Sequence, residues 1–342
     1  MAIRVGLVGL GMMGATHFKG WRKTDLAEVT AVCDVRAERL AGDLSKSLGN
    51  IDTGAAVRQD FSRIGKYAAY SALLRKADVD LVDLCVPTDL HAKMAIAALK
   101  AGKHVFCEKP MALNVRQAVT MAQAADEFDR RLMVGQVLRF WPEYLAMKEM
   151  VDAARHGRVR SATFRRFGAT PTWSDWFTDP ARSGSGAMDL HIHDADTVQW
   201  FFGPPKKVTS QGVTGPAGGM DSIITLYAYD DIPVVAAEGG WGFPLSYGFW
   251  MGATIVFERA AVVYDSRLSP AMTLYEQGRP APVHPPVQPA NAYAEELRYF
   301  AECIRADQPP QRLMPADAAR AVALVEAEVR SARTGRPVAL KF

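Results

Sequence analysis

The chain has 342 residues, of which 49% are hydrophobic and 23% are charged, the balance of a soluble globular protein large enough for two domains. Its 40 basic residues are scattered among 37 acidic ones, so the net charge is only +3 and nucleic acid is not an expected partner. The four cysteines contain no C-x-x-C pair, which favours reduced thiols in a cytoplasmic protein over a disulfide framework.

Residues 1–136 alternate short apolar runs with helical stretches, and no secretory signal is expected because the first run begins almost at the N-terminus. This alternation predicts βαβ units with a parallel sheet. The predicted strands are Ile3–Val8, Val29–Cys33, Leu81–Val86, His104–Cys107 and Leu132–Gln136, and the clearest helices are Leu90–Leu99 and Asn114–Phe128.

Residues 137–342 have a different pattern and are predicted to form a second domain. A helix over Pro142–Arg155 is followed by strands joined by short turns, as in an antiparallel sheet, and two helices close the chain. The predicted strands are Val159–Phe167, Ile223–Tyr229, Val234–Glu238, Thr254–Phe257 and Ala261–Tyr264, and the closing helices are Ala292–Arg305 and Ala316–Ser331.

The uncharged run Gly239–Phe257 raises the question of a membrane span. Glycines, a proline and a serine interrupt it, so strands and turns are predicted there. No membrane partner is expected.

The glycine-rich run Gly9–Gly14 has G-x-G-x-x-G spacing between the first strand and a helix, and Asp34 ends the second strand 20 residues later. Such glycines let the backbone approach a pyrophosphate, and the helix N-terminus supplies N–H groups. The carboxylate can then bind the ribose hydroxyls. A structural turn with a surface Asp is the alternative. The predicted cofactor contacts here are Gly9, Gly11, Met12, Met13, Gly14, Asp34, Val35 and Arg36.

The same carboxylate predicts which dinucleotide is used. Asp34 would repel a 2′-phosphate, so NAD is favoured over NADP as the cofactor. Arg36 lies two residues further along and can pair a phosphate, which keeps NADP possible.

Further polar residues follow the later strands of the first domain. The loop Pro87–His91 is predicted to contact the cofactor through Pro87, Thr88 and His91, although helix capping by Thr88 or Asp89 explains the pattern equally well. Gln136, at the end of the last strand, completes the predicted set.

A charged pair, Glu108 and Lys109, ends an otherwise buried strand directly before Pro110. Proline explains why the strand stops, because it has no N–H for the ladder, but it does not explain the charges. The carboxyl ends of parallel strands form the ligand crevice of such sheets. Lys109 is therefore predicted to act on a bound molecule, and Glu108 and Lys109 are both predicted to contact the cofactor.

The densest polar cluster is Ser183–Asp194, in which a glycine-rich loop leads into a predicted helix over residues 187–201. Asp189 and His193 are four residues apart and would share one face, where they can hold a hydroxyl and accept its proton. One alternative is an N-capping Asp with solvated histidines. The other is a metal site, formed by His191, His193 and Asp194, which is disfavoured because H-x-H lacks helical spacing.

Two aromatic stretches are candidate walls of a substrate pocket. The first, Gln136–Tyr144, contains Arg139 and Trp141, and the second, Trp173–Phe177, contains Trp176. Aromatic rings beside Arg can stack on a ring-shaped polyol, and ordinary core packing is the alternative.

In combination, these motifs resemble the glucose–fructose oxidoreductase, inositol dehydrogenase and rhizopine-catabolism (Gfo/Idh/MocA) family over nearly the whole chain. The resemblance implies an α/β Rossmann domain followed by an α+β domain with a large, open, mainly antiparallel sheet. That sheet often mediates oligomerisation in the family, which implies a homodimer or homotetramer. The matching segments are Gly9–Gly14, Pro87–His91, Ala101–Val105, Glu108–Pro110, Asp189–His193, Tyr293–Leu297 and Thr334–Val338.

The resemblance also implies that Lys109, Asp189 and His193 are catalytic. Many relatives have glycine where this chain has His191, which leaves the choice of base open although spacing favours His193. The predicted function is NAD(P)-dependent oxidation of a secondary hydroxyl of a sugar, cyclitol or related polyol. The two alternatives are a redox-assisted glycosidase that retains NAD and a non-catalytic NAD(P)-binding regulatory protein.

Overall fold

The computed structural model describes residues 2–47, 49, 54 and 57–341, which form two compact units. The first unit consists of Met1–Val137 and Asn291–Ala319, and the second of Leu138–Ala290 and Arg320–Phe342. The sequence had suggested a single boundary after residue 136. In the structure the chain instead returns to the first unit for one further segment.

The first unit is built on a six-stranded sheet in the order β3-β2-β1-β4-β5-β6, in which every neighbouring pair is parallel. This is the order of doubly wound dinucleotide-binding folds. Its strands are β1 (Ile3–Val8), β2 (Ala27–Cys33), β3 (Gly65–Tyr67), β4 (Leu81–Leu84), β5 (His104–Glu108) and β6 (Leu132–Gly135). Its helices are α1 (Met12–Trp21), α2 (Ala37–Leu40), α3 (Tyr70–Lys76), α4 (Thr88–Lys100) and α5 (Val115–Glu127).

In the first unit, the start of α5 and the end of α4 lie at residues that are typical of helix ends. Asn114 caps α5, its side chain accepting a hydrogen bond from the Gln117 N–H, and Gly102 adopts a left-handed φ of 75° after α4. The returning segment supplies α9 (Ala292–Arg305), which packs on α1. A Cβ at Gly20 would lie 2.8 Å from Leu297 Cδ1, so a residue without a side chain allows this close approach.

The second unit is built on an eight-stranded sheet in the order β13-β12-β11-β7-β10-β9-β8-β14. Its neighbours are antiparallel except for the parallel pair β7 and β10. Its strands are β7 (Val159–Ala169), β8 (Lys207–Thr214), β9 (Met220–Ala228), β10 (Val234–Phe243), β11 (Phe249–Phe257), β12 (Ala260–Asp265), β13 (Met272–Glu276) and β14 (Val338–Ala339). Its helices are α6 (Pro142–Ala153), α7 (Pro180–Ser183), α8 (Ile192–Phe202) and the C-terminal part of α10 (Pro315–Thr334).

This sheet has one covered and one exposed face, which is visible in β9. Ile223, Thr225 and Tyr227 are buried, whereas Ile224 and Leu226 between them are exposed. The uncharged run Gly239–Phe257 forms the end of β10 and all of β11, as predicted from its glycines. Among the helices that the structure describes, none combines the length and apolarity required to span a bilayer.

We expect Asp194→Ala to destabilise the second unit by about 3–5 kcal/mol, because it leaves the buried guanidinium of Arg166 without its counter-charge. Urea denaturation followed by tryptophan fluorescence measures this loss. The matched control is Asp230→Ala, which removes the partner of Lys206 in an exposed ion pair of the same unit and is expected to change stability by about 0–1 kcal/mol. Equal effects of the two substitutions would contradict the prediction.

Candidate functional site

The glycine-rich turn after β1 is shaped by close backbone contacts. A Cβ at Gly9, which has a φ of 86°, would lie 2.2 Å from the Cys85 carbonyl oxygen. A Cβ at Gly14 would lie 1.8 Å from the carbonyl oxygen of Gly9. Gly11 differs, because the nearest atom to its Cβ position is Arg39 Nη1 at 3.9 Å. Gly9 and Gly14 therefore close the turn, and Gly11 leaves space for a ligand beside it.

The N-terminus of α1 is suited to an anion. The helix begins at Met12 after Gly11, no side chain caps it, and its first turn, which includes Met13, contains no acidic residue. Its first N–H groups and the positive end of its dipole therefore remain available to a pyrophosphate.

Asp34 is held next to this turn by backbone hydrogen bonds. Its Oδ2 accepts from the Leu10 N–H at 2.7 Å and its Oδ1 from the Arg36 N–H at 2.8 Å. Each carboxylate oxygen has a second lone pair for a ribose hydroxyl. The neighbouring Val35 is exposed, and its predicted cofactor contact stays a prediction.

The guanidinium beside Asp34 belongs to Arg39 rather than to Arg36. Arg39 Nη1 lies 3.5 Å from Asp34 Oδ2, whereas the side chain of Arg36 is exposed and that residue contacts the carboxylate through its backbone. Arg39 was not predicted, and the only signal for it in the sequence was its place in a short helical segment that follows Asp34. If a 2′-phosphate binds, Arg39 is the better-placed cation.

We expect Asp34→Ala to weaken NADH binding about tenfold to a hundredfold, because hydrogen bonds to charged groups are worth about 1.5–3 kcal/mol. Affinity for NADPH should fall less, since the repulsion of the 2′-phosphate is also removed. Fluorescence titration with both dinucleotides measures the two effects, with Arg36→Ala as the exposed control. Unchanged NADH affinity in Asp34→Ala would show that this carboxylate does not bind ribose.

The loop after β4 leads into α4, for which a helix cap at Thr88 or Asp89 was the alternative to a cofactor contact. Pro87 is the N-cap residue of α4 and makes no side-chain capping hydrogen bond, so the alternative in which Thr88 or Asp89 is the N-cap residue is wrong. The loop is instead held by His91, which is buried, with its Nδ1 2.8 Å from the Pro110 carbonyl oxygen and its Nε2 2.8 Å from that of Val86. The cofactor contacts of Pro87, Thr88 and His91 stay predictions.

Gln136 is a buried polar residue directly after β6. Its side chain is 1% exposed, and neither its Oε1 nor its Nε2 has a hydrogen-bond partner within the described part of the chain. An unpaired buried amide is costly, and a bound polar group would satisfy it. The carboxamide of nicotinamide has complementary donors and acceptors, so the site fits a dinucleotide.

Lys109 follows β5 and is partly exposed, whereas Glu108 before it is buried. The Lys109 N–H donates to Glu108 Oε2 at 3.0 Å, and Glu108 Oε1 lies 3.0 Å from His17 Nε2. Both carboxylate oxygens of Glu108 therefore contact protein groups, and its contact with the cofactor stays a prediction. The lysine is the member of the pair whose side chain reaches the surface.

Asp189 and His193 lie in one helical segment of the second unit. The predicted helix over 187–201 begins with a π-helical turn, Ala187–His191, and continues as α8. Asp189 lies inside this turn and Gly186 is its N-cap residue, so the alternative of an N-capping Asp is wrong. Asp189 is 9% exposed and His193 is partly exposed. A π-turn of this kind is frequent at functional sites.

His191 is the histidine that is buried in the core of the second unit. It is fully buried, with its Nε2 2.9 Å from Glu328 Oε2 and 3.5 Å from the Tyr227 hydroxyl. Burial lowers the pKa of His191, but the Glu328 carboxylate more than offsets this, so the net pKa is raised. A fully buried ring whose Nε2 is paired with Glu328 cannot reach a substrate, which leaves His193 as the candidate base.

The contacts of His191 and Asp194 disfavour the alternative of a metal site. His191 is paired with Glu328, and Asp194 forms a two-point ion pair with the buried Arg166, Nε to Oδ2 at 2.9 Å and Nη2 to Oδ1 at 3.2 Å. The two side chains therefore belong to separate ion pairs and do not form a ligand set with His193.

The candidate substrate contacts have different environments. Arg139 is buried and binds Asp196 at two points, 2.9 Å from Nε to Oδ2 and 2.8 Å from Nη2 to Oδ1, so its contact with a substrate stays a prediction. Trp141 is partly exposed. Trp176, also partly exposed, stacks on Phe177 with ring centroids 3.9 Å apart. The two tryptophans therefore have ring surface available for stacking.

Two family models match the chain. Residues 3–136 match the model of an oxidoreductase family with an NAD-binding Rossmann fold, and residues 144–263 match the GFO/IDH/MocA C-terminal domain.

Individual proteins are similar over their full lengths. The chain is 27% identical to the inositol 2-dehydrogenase of Rhizobium meliloti over 99% of this chain and 100% of that protein. It is 25% identical to the 1,5-anhydro-D-fructose reductase of Ensifer adhaerens over 97% of both. The WlbA dehydrogenase of Bordetella pertussis, crystallised with NADH and UDP-GlcNAcA, has the same fold, with a TM-score of 0.82 at 23% identity over 100% of both chains.

Proposed function

Because the chain belongs to the Gfo/Idh/MocA family of oxidoreductases and has its NAD-binding Rossmann domain, we propose that it oxidises a secondary hydroxyl of a sugar, cyclitol or related polyol with NAD. The observation that carries this proposal is the position of Lys109 at the same sheet edge as the turn Gly9–Gly14. In a parallel sheet the carboxyl ends of all strands lie at one edge, so a dinucleotide and an ammonium group meet there. The full-length similarity to an inositol dehydrogenase and an anhydrosugar reductase supports the substrate class.

The dinucleotide supplies the hydride acceptor when it is bound, and the chain supplies the proton chemistry. In our proposal Lys109 donates a hydrogen bond to the reacting hydroxyl and stabilises the alkoxide that develops on it. His193 accepts the hydroxyl proton on an imidazole nitrogen, and Asp189 orients the imidazole or the substrate. Trp141, Trp176 and Arg139 are the proposed substrate contacts. General base catalysis of this kind contributes typically about 10²–10⁴-fold to the rate.

Lys109→Ala is expected to lower kcat about 10²-fold or more, because the developing alkoxide loses its charged donor. Production of NADH from NAD is followed by absorbance while inositols, aldoses and anhydrosugars are screened as substrates. Lys103→Ala removes the same charge from the opposite end of β5 and should retain normal turnover. Turnover near the wild-type value in Lys109→Ala would remove the lysine from the mechanism.

The two histidines of the Asp189–His193 segment should respond in opposite ways to substitution. His193→Asn should lower kcat by about 10²–10⁴-fold with little change in stability, because it removes the base. His191→Asn should instead destabilise the protein by about 3–5 kcal/mol, because Glu328 loses its buried partner. Paired kinetic and thermal-unfolding measurements test both statements. A large kinetic effect of His191→Asn on a stable protein would reverse the assignment.

The alternative functions give different products. A redox-assisted glycosidase would release an aglycone and return its hydride, so no net NADH would form. A regulatory protein would bind the dinucleotide without turnover of any polyol. The substrate screen therefore distinguishes all three, and repeating it with NADP tests the cofactor preference.

We also propose that the exposed face of the second sheet joins subunits into a homodimer or homotetramer. The exposed apolar residues Val213, Ile224, Leu226 and Val234 lie on this face, on three neighbouring strands. Exposed apolar side chains grouped on one face of a sheet favour an interface. We propose a cytoplasmic location, which the four free cysteines favour.

Leu226→Glu is expected to shift the protein toward monomers in light scattering after size exclusion, because it places a charge inside the apolar face. Gln211→Glu, on β8 at the same face, is the control for charge alone. A wild-type chain that is monomeric at micromolar concentration would contradict this proposal.

A further inference from the structure

The residues on either side of Lys109 are each held by a buried histidine. Glu108 precedes it and contacts His17 of α1, and Pro110 follows it and contacts His91 of α4. Both imidazoles are buried, at 0% and 1% exposure, so neither can bind a substrate directly. The two histidines therefore contact the two residues that flank Lys109.

On the Glu108 side, the chain of contacts is short and charged. Glu108 Oε1 lies 3.0 Å from His17 Nε2, and Glu108 Oε2 accepts the Lys109 backbone N–H at 3.0 Å. The other ring nitrogen of His17, Nδ1, lies 3.0 Å from both carboxylate oxygens of Asp83 in β4. Trp21 Nε1 in turn donates to Asp83 Oδ2 at 2.7 Å. The imidazole is thus oriented from both sides.

The charge state of His17 follows from these neighbours. Burial lowers the pKa of His17, but the Asp83 carboxylate more than offsets this effect, and the net pKa lies well above the ordinary value. Only the imidazolium has an N–H on both ring nitrogens, which its two carboxylate partners require. His17 is therefore a buried cation that joins β4 to the end of β5.

A third acid completes the cluster. Glu296 of α9 is fully buried, and its carboxyl oxygen lies within 4.8 Å of the acceptor and ring atoms of Glu108 and His17. Burial, together with the nearby Glu108 carboxylate, raises the pKa of Glu296 well above its ordinary value. A raised pKa favours the protonated form of Glu296, which reduces the negative charge around His17.

On the Pro110 side, the contact joins two loops. His91 Nδ1 lies 2.8 Å from the Pro110 carbonyl oxygen, and Nε2 lies 2.8 Å from that of Val86. The ring therefore bridges the loop after β4 and the turn after β5. In either protonation state it can donate at least one hydrogen bond to this pair of carbonyls.

We propose that His17 and His91 are positioning residues that hold the backbone of Lys109 in place at the sheet edge, through Glu108 and Pro110. The inference rests on the proposed function, in which Lys109 acts on the substrate hydroxyl. Catalysis by a positioned group falls steeply when that group is displaced by as little as 1 Å. Neither histidine carries out a chemical step itself.

A double-mutant cycle with Lys109 tests the proposal. His91→Leu and His17→Gln should each lower kcat about tenfold or more in the wild-type background, and in His17→Gln the NADH dissociation constant should change less than about threefold. In the Lys109→Ala background each should have less than about a twofold further effect, because the group they position is gone. His91→Gln, which keeps an N–H for a carbonyl, should recover much of the lost turnover. His104→Leu, on the same strand far from the lysine, is the control.

A second readout does not depend on turnover. The rate at which trinitrobenzenesulfonate modifies Lys109, measured by peptide mass spectrometry, should change about tenfold in His91→Leu and in His17→Gln, whereas the rate for Lys103 should not change. If one of the two variants does not fold, the other and His91→Gln still decide the outcome.

The outcomes distinguish a failure of the proposed function from a failure of the positioning proposal. Wild-type turnover in Lys109→Ala would overturn the proposed role of the lysine. An impaired Lys109→Ala, combined with histidine effects that multiply with it or are absent, would overturn the positioning proposal alone. Unchanged modification of Lys109 in both histidine variants would also overturn it.

Discussion

The parallel direction of all six strands in the first unit is the constraint on which the candidate site depends. Each strand must end at the same edge, so the residues that directly follow the strands come together without being near in sequence. Asp34 follows β2, Lys109 follows β5 and Gln136 follows β6. A sheet with one reversed strand would place one of these groups at the opposite edge.

Burial then separates the polar residues into two groups. Arg139, Arg166, His191 and Glu108 are each held by protein partners, because an unpaired charge in the interior is strongly destabilising. Lys109 and His193 are partly exposed and can meet a ligand. The distinction is not one of residue type, since both groups contain a histidine.

Burial also connects Lys109 to the interior. Lys109 is partly exposed, while Glu108 before it and Pro110 after it are tied to helices α1 and α4 through buried imidazoles. A flexible side chain on a fixed backbone has fewer positions to sample, which favours a productive geometry. The buried acids around His17 are accommodated because the raised pKa of that ring favours the imidazolium and the raised pKa of Glu296 favours its uncharged form.

The sequence by itself determined the local parts of this protein. The period of apolar residues gave the bounds of α9 to the residue, the spacing of Gly9–Gly14 predicted the turn after β1, and the adjacent charges of Glu108 and Lys109 marked a strand end. Each of these features depends on residues close together in the chain, so their pattern is visible without a fold. β8 was missed because Lys207–Thr214 is mostly polar and exposed, with only Val208 and Ser210 buried.

Only the tertiary structure decided which residues become partners. The parallel pairing of β7 with β10, the return of Asn291–Ala319 to the first unit and the contact of Arg39 with Asp34 are not encoded in any local pattern. The pairing of His191 with Glu328 belongs to the same class, because the two residues lie far apart in the chain. Desolvation makes a buried charge require a partner, and the fold determines which residue that partner is.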